Sequence, residues 1–131
     1  MSALMATGTV RVLIVDDHDL FVDALRALLE TEQGIDVVAT APNGLEAVER
    51  VVELEPEVVL MDVSMPVLDG FEATRAIRKR APSTRVLFVT GSNAEEDLER
   101  AREVGATGYI SKDKIAAELV AAIRGAAGSD G

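Results

Sequence analysis

Three aspartates, one threonine and one lysine stand at the ends of separate apolar runs in this chain. Asp16 and Asp17 follow VRVLIV, Asp62 follows VVLM, Thr90 follows RVLFV, and Lys112 follows TGYIS. If each run is a strand of one sheet, three carboxylates, a hydroxyl and an ammonium converge at a single edge. Clustered carboxylates repel, and without compensation at least one of them stays protonated. A hard divalent cation removes the conflict. Mg²⁺ takes a few carboxylate oxygens, keeps several waters and is completed by phosphate oxygens, and Mn²⁺ suits the same donors. One carboxylate can then remain an ionised nucleophile, and carboxylates do form acyl phosphates. Asp62 fits that part best, because it stands alone after its run. The Lys112 ammonium and the Thr90 hydroxyl would neutralise the oxygens of a phosphoryl group in transfer. Gly91, directly after Thr90, would leave the approach open.

The elements that must hold these groups alternate five times between strand and helix. Strands are expected at Val10 to Val15, Ile35 to Ala39, Val58 to Met61, Val86 to Val89 and Thr107 to Ile110. Most are consecutive apolar runs, as expected for strands covered on both faces of a parallel sheet, whereas TGYIS is weaker and suits an edge. The first helix places Phe21, Leu25, Leu28 and Leu29 on one face, with Asp23, Arg26 and Glu30 outward. Asn43…Glu46, Asp69…Glu72 and Asn93…Glu96 each set a capping side chain three residues before an acid. Gly34 and Gly105 fall where helices stop, and Pro56 and Pro82 lie in helix-to-strand connections. Repeated βα units predict an open, doubly wound α/β sheet with helices on both faces. Ligands of such sheets bind beyond the carboxyl ends of the strands, where all five residues lie.

At 131 residues this is one domain with room for a real core. Its organisation is expected to be a disordered arm over 1–9, the domain over 10–126, and a flexible tail over 127–131, with the Ala- and Gly-rich end from Gly125 to Gly131 reading as frayed helix and tail. Without cysteine there is no disulfide framework or thiolate metal site. No apolar run is long enough to span a bilayer, and the N-terminal residues lack a signal-peptide layout, so a cytoplasmic protein is expected. A net charge of −10 argues against direct nucleic acid binding. His18, the single histidine, reads as a polar residue of a βα turn, since one histidine makes no metal site.

DVSMPVLDGFEATRAIR resembles the phospho-acceptor segment of response-regulator receiver domains in bacterial two-component signalling. VLIVDDHDLF is similar to their acidic pair, VLFVTG to their Thr-plus-small segment, and GATGYISKD to their aromatic-then-Lys segment. The likeness covers roughly residues 10 to 125, with four motifs in order. It implies a flavodoxin-like five-stranded parallel sheet of order 2-1-3-4-5. Asp62 would be phosphorylated, while Asp17 directly, Asp16 mainly through water and the Ser64 backbone carbonyl would hold Mg²⁺ with it. Thr90, Gly91 and Lys112 would grip the phosphoryl group. Tyr109 would act with Thr90 as the switch that alters the surface of the fourth helix, fifth strand and fifth helix. The implied donor is a phosphohistidine on a sensor histidine kinase or phosphotransfer protein, and the implied readout is a partner or a phosphorylation-linked homodimer. Catalysis would be confined to the chain's own phosphorylation and dephosphorylation.

Three positions depart from the commonest pattern. Asp113 follows Lys112 where many receivers have proline, and with the DDH opening this leans toward receivers of the NarL/FixJ type. Ser64 is smaller than many family members use, which leaves the phosphoryl lifetime open. After the last helix too few residues remain for a DNA-binding module, so a free-standing receiver and one cut from a longer regulator both fit. An aspartate-based phosphatase is the alternative from another class, but it typically carries a second Asp where Ser64 stands. A flavodoxin-like cofactor binder would need a Ser/Thr/Gly-rich phosphate loop in place of Asp16 and Asp17.

Overall fold

The computed structural model describes residues 9–63, 65, 67–91 and 95–128. Along the chain run β1 (Val10–Val15), α1 (Asp19–Glu30), β2 (Ile35–Ala41), α2 (Gly44–Leu54), β3 (Val58–Met61) and α3 (Gly70–Arg80). They are followed by β4 (Arg85–Thr90), α4 (Glu95–Glu103), β5 (Gly108–Ser111), a 3₁₀ turn over Lys112–Lys114, and α5 (Ile115–Ala127). Every strand pairing is parallel and the order is β2-β1-β3-β4-β5, the expected flavodoxin-like sheet. β1 and β3 are neighbours where the order reverses, so the residues that follow them share one crevice.

The apolar runs explain why the sheet is central. Val12 to Val15, Val58 to Met61 and Val86 to Val89 are all no more than 3% exposed. Successive residues point to opposite faces, and each strand therefore feeds two cores. Leu13, Val15, Val59, Met61, Val86 and Phe88 meet Val51 of α2, Ile77 of α3 and Ala101 of α4. Val12, Ile14, Val58, Leu60, Leu87 and Val89 meet Leu25 and Leu29 of α1 and Leu119 and Ile123 of α5. β2 is an edge strand like β5, and its central residues are only half-buried.

Several boundaries differ from expectation, because parallel pairing extends past the last apolar residue wherever a neighbour offers partners. β2 continues to Ala41, β4 takes in Arg85 and Thr90, and β5 runs from Gly108 to Ser111. Thr107 precedes β5, although its N–H donates to the Val86 carbonyl. Gly125 lies within α5 and not in a frayed tail, since burial of Ile123 and Ala126 holds that turn on the sheet. On α1 the core positions are Val22, Leu25 and Leu29, while Phe21 and Leu28 are half-buried.

The Asn43 side chain accepts the Glu46 N–H at 2.9 Å, and Asp69 accepts the Glu72 N–H at 2.9 Å. These two caps fix the starts of α2 and α3. The third expected cap, at Asn93, lies outside the described residues. Gly34 and Gly105 adopt φ +85° and +92°, the left-handed region that glycine tolerates best.

One glycine positions the site directly. Gly70 opens α3, and a Cβ built there would lie 2.3 Å from the Asp62 carbonyl oxygen and 3.0 Å from the Phe88 ring. Backbone, unlike a side chain, cannot swing away. Gly70→Ala is expected to lower stability by about 1–3 kcal/mol, as overpacking does. In urea the unfolding midpoint will fall with little change in slope; an unchanged midpoint would show that the close approach is not needed.

Candidate functional site

At the carboxyl edge the ladder continues one residue past the strands. The Asp16 N–H donates to the Ala41 carbonyl at 3.1 Å, and the Asp62 N–H donates to the Val15 carbonyl at 2.9 Å. These bonds fix the backbones of both residues in the crevice between β1 and β3. Asp16 and Asp62 are buried, at 4% and 6% exposure. The Asp17 side chain is 34% exposed at the rim. Neither Asp16 nor Asp17 caps α1, whose N-cap position is His18 with no side-chain cap bond.

Among the described residues, Asp16, Asp17, Asp62 and His18 each offer one ligand atom, and these atoms all lie within 4.8 Å of one another. At an effective dielectric near 20, two like unit charges at that spacing repel by about 3 kcal/mol. The Lys112 ammonium opposes this repulsion from the Asp16 side, and so does His18 when its ring is protonated. Lys112 Nζ donates to Asp16 Oδ2 at 3.1 Å, and His18 Nδ1 lies 2.9 Å from Asp16 Oδ1 and 3.2 Å from Asp17 Oδ1. The His18 N–H also donates to Asp16 Oδ1 at 2.9 Å. The Lys112 ammonium in turn rests 4.2 Å over the Phe21 ring, which accounts for that residue's half-buried place. Three carboxylates with hard oxygen donors fit a small divalent cation such as Mg²⁺.

The remaining expected residues are placed as follows. Thr90 ends β4, is 5% exposed, and stands in register with Ser111, one residue before Lys112. Tyr109 is half-buried in register with Phe88, and shares a groove with Leu98 and Ala101 of α4. Gly91 is exposed, and a Cβ added there would meet nothing within 4 Å. The approach is thus open whether or not glycine occupies it. Ser64, expected to offer its carbonyl, lies outside the described residues.

Three contributors escape sequence reasoning. His18 reads in the sequence as a turn residue, yet it joins the acidic cluster; its adjacency to Asp16 and Asp17 is the available signal. The other two are Phe71 and Arg100. The Arg100 guanidinium sits 4.1 Å over the Phe71 ring, and Phe71 packs on Phe88 with ring centroids 5.2 Å apart. Both line a cleft of about 460 Å³ with Asp17, Val63, Met65, Asp69 and Asp97. No local pattern joins two residues on separate helices.

An acidic cluster at the reversal point of a 2-1-3-4-5 sheet is the arrangement of CheY-like receivers. The chain belongs to the response regulator receiver domains of two-component systems, whose family model matches residues 12–124. It is 42% identical over 114 residues to the transcriptional regulatory protein LnrK of Bacillus subtilis, covering 87% of this chain and 52% of that protein. The chain therefore spans about half the length of the curated relatives it matches. The response regulator domain of Thermotoga maritima CheB superposes with a TM-score of 0.86 at 36% identity, over 94% of this chain and 99% of that one. The signal receiver domain of NarL from Mycobacterium tuberculosis gives 0.87 at 32% identity, over 92% and 97%. The lean toward NarL-type receivers agrees with these relatives. No helix among the described residues is long and apolar enough to cross a membrane.

The hydrogen bond to Asp16, followed by the charges of Asp17 and Asp16, raises the His18 pKa above its ordinary value. A raised folded-state pKa contributes stability that is fully present below the unfolded value and is lost as pH rises through the folded one. In metal-free protein, an NMR titration of this single histidine will give a midpoint above that of an unfolded chain. Asp16→Asn will move it back down. A wild-type midpoint at or below the unfolded value would show that the ion pair does not form in solution.

Proposed function

We propose that this receiver, spanning residues 10–126, accepts a phosphoryl group on Asp62. The supporting observation is the convergence of Asp16, Asp17 and Asp62 within 4.8 Å at the sheet edge, with Lys112 reaching into the same cluster. Asp16, Asp17, Asp62 and the Ser64 backbone carbonyl would hold Mg²⁺, with Mn²⁺ as a substitute. The bound ion supplies neutralisation of the carboxylates and of the phosphoryl oxygens.

The chain's own groups divide the remaining work. Receiver domains take their phosphoryl groups from histidine kinases or phosphotransfer proteins, and the donor here is a phosphohistidine. An Asp62 carboxylate oxygen attacks phosphorus in line as the P–N bond to the donor imidazole breaks, and the electron pair leaves with that nitrogen. The product is an acyl phosphate on Asp62 and, with a proton carried on the other ring nitrogen of the donor, a neutral histidine on the kinase. Lys112 exchanges Asp16 for a phosphoryl oxygen, while the Thr90 hydroxyl and the Gly91 backbone N–H donate to the others. Movement of Thr90 toward the phosphoryl group opens space beside Tyr109, whose ring lies in the α4–β5 groove. The surface of α4, β5 and α5 then changes, and a partner or second copy of the domain reads it. This is a two-element switch of the kind regulation uses. The chain's enzymatic activity is confined to its own phosphorylation and dephosphorylation, in the cytoplasm.

Intact mass after incubation with acetyl phosphate tests the proposal. Wild type will gain one phosphoryl group only with Mg²⁺ present, and Asp62→Asn will gain none. Without metal, Asp62→Asn will melt at or above the wild-type temperature, because one of three repelling charges is gone. A wild type that gains no mass under any condition would identify a receiver that signals by binding alone.

A further inference from the structure

The cleft beside the acidic cluster holds one cation that the phospho-acceptor chemistry does not use. Arg100 lies on α4, with its guanidinium carbon 4.1 Å over the Phe71 ring. Phe71 is 2% exposed and braced by Phe88, so the platform beneath the guanidinium is rigid. The same cleft is lined by Asp17 of the metal cluster and by Val63, the residue after Asp62. Arg100 therefore shares a cleft with Asp17 and with the residue that follows Asp62.

Its charge is not spent on the acids around it. No carboxylate among the described side chains forms a salt bridge with Arg100, although Asp69 and Asp97 line the cleft with it. Asp69 instead uses its Oδ1 to cap α3 through the Glu72 N–H. At this edge the Lys112 ammonium is committed to Asp16, and the His18 ring to Asp16 and Asp17. A guanidinium stacked on an aromatic face keeps its N–H edge for hydrogen bonds, and that edge matches a phosphate or carboxylate fork.

We propose that Arg100 is an anion-binding subsite of this cleft that captures small acyl phosphates before transfer. This rests on the phospho-acceptor role of Asp62 argued above. An anionic donor approaches a chain of net charge −10, and every carboxylate lining the cleft repels it. A positive group fixed at the mouth raises the local donor concentration, an effect on capture and not on the bond-breaking step. Arg100 therefore acts on the dependence of rate on donor concentration.

Phosphorylation by acetyl phosphate in excess Mg²⁺ tests this, followed by quenched intact mass because the chain has no tryptophan. At about 20 mM salt, Arg100→Gln is expected to lower the second-order rate constant roughly 3- to 10-fold, and about 0.5 M salt should abolish most of the difference. Arg100→Lys should restore a large part of the rate at low salt. Two results would overturn the subsite. One is an Arg100→Gln variant as fast as wild type at low salt. The other is a deficit that persists at high salt with an altered dephosphorylation rate, which marks a strut holding α4. A wild type that takes no phosphoryl group at all would instead remove the phospho-acceptor role of Asp62, and the subsite with it.

Discussion

The concentration of negative charge where β1 and β3 end constrains everything else at this edge of the molecule. Asp16 and Asp62 are buried there by backbone bonds to Ala41 and Val15, so neither carboxylate can retreat into solvent. Each pairwise repulsion is about 3 kcal/mol, a large fraction of the stability of a domain this size. The fold answers with one cation from a distant position and an imidazole from the adjoining turn. Lys112 leaves β5, three positions along the sheet from β1, and still reaches Asp16. Phe21 on α1 holds its ammonium from below, and His18 folds back from the β1–α1 turn onto the opposite oxygen. The adjacency of β1 and β3 sets Asp16 and Asp62 side by side in this cluster.

The two cores divide the labour of holding that edge. On one side α1 and α5 carry Phe21 and follow Lys112, so the cation that neutralises Asp16 is supported from the face packed by Leu25, Leu29, Leu119 and Ile123. On the other side the Phe71–Phe88 contact sits under the cleft and joins α3 to β4. Thr90 lies two residues beyond Phe88, on the strand that separates the two cores. A displacement of β4 at its carboxyl end is therefore felt by Phe71 and, through it, by Arg100 on α4.

Much of this was legible in the chain because the deciding physics is local. A carboxylate directly after a buried apolar strand must emerge at the sheet edge, which located Asp16, Asp17 and Asp62. Asn43 and Asp69 announced their helices because a capping side chain and the N–H that donates to it are only three residues apart. What was not legible depends on tertiary contacts. Phe21 and Val22 both lie within the apolar arc of α1, and only the fit against the sheet put Val22 inside and left Phe21 to cover Lys112. The Arg100–Phe71 stack joins two helices whose sequences carry no sign of each other. The Ala- and Gly-rich stretch from Gly125 reads as frayed helix, but burial of Ile123 and Ala126 on either side of that glycine keeps α5 intact.

Tyr109 stands in the groove between α4 and β5, and the chain contains no tryptophan and no other tyrosine. The chain's tyrosine absorbance and emission therefore originate from one ring at one known place. Most proteins blur such signals over several chromophores. Here a change in tyrosine emission or near-ultraviolet dichroism reports the α4–β5 junction alone, which makes the unlabelled protein its own optical probe.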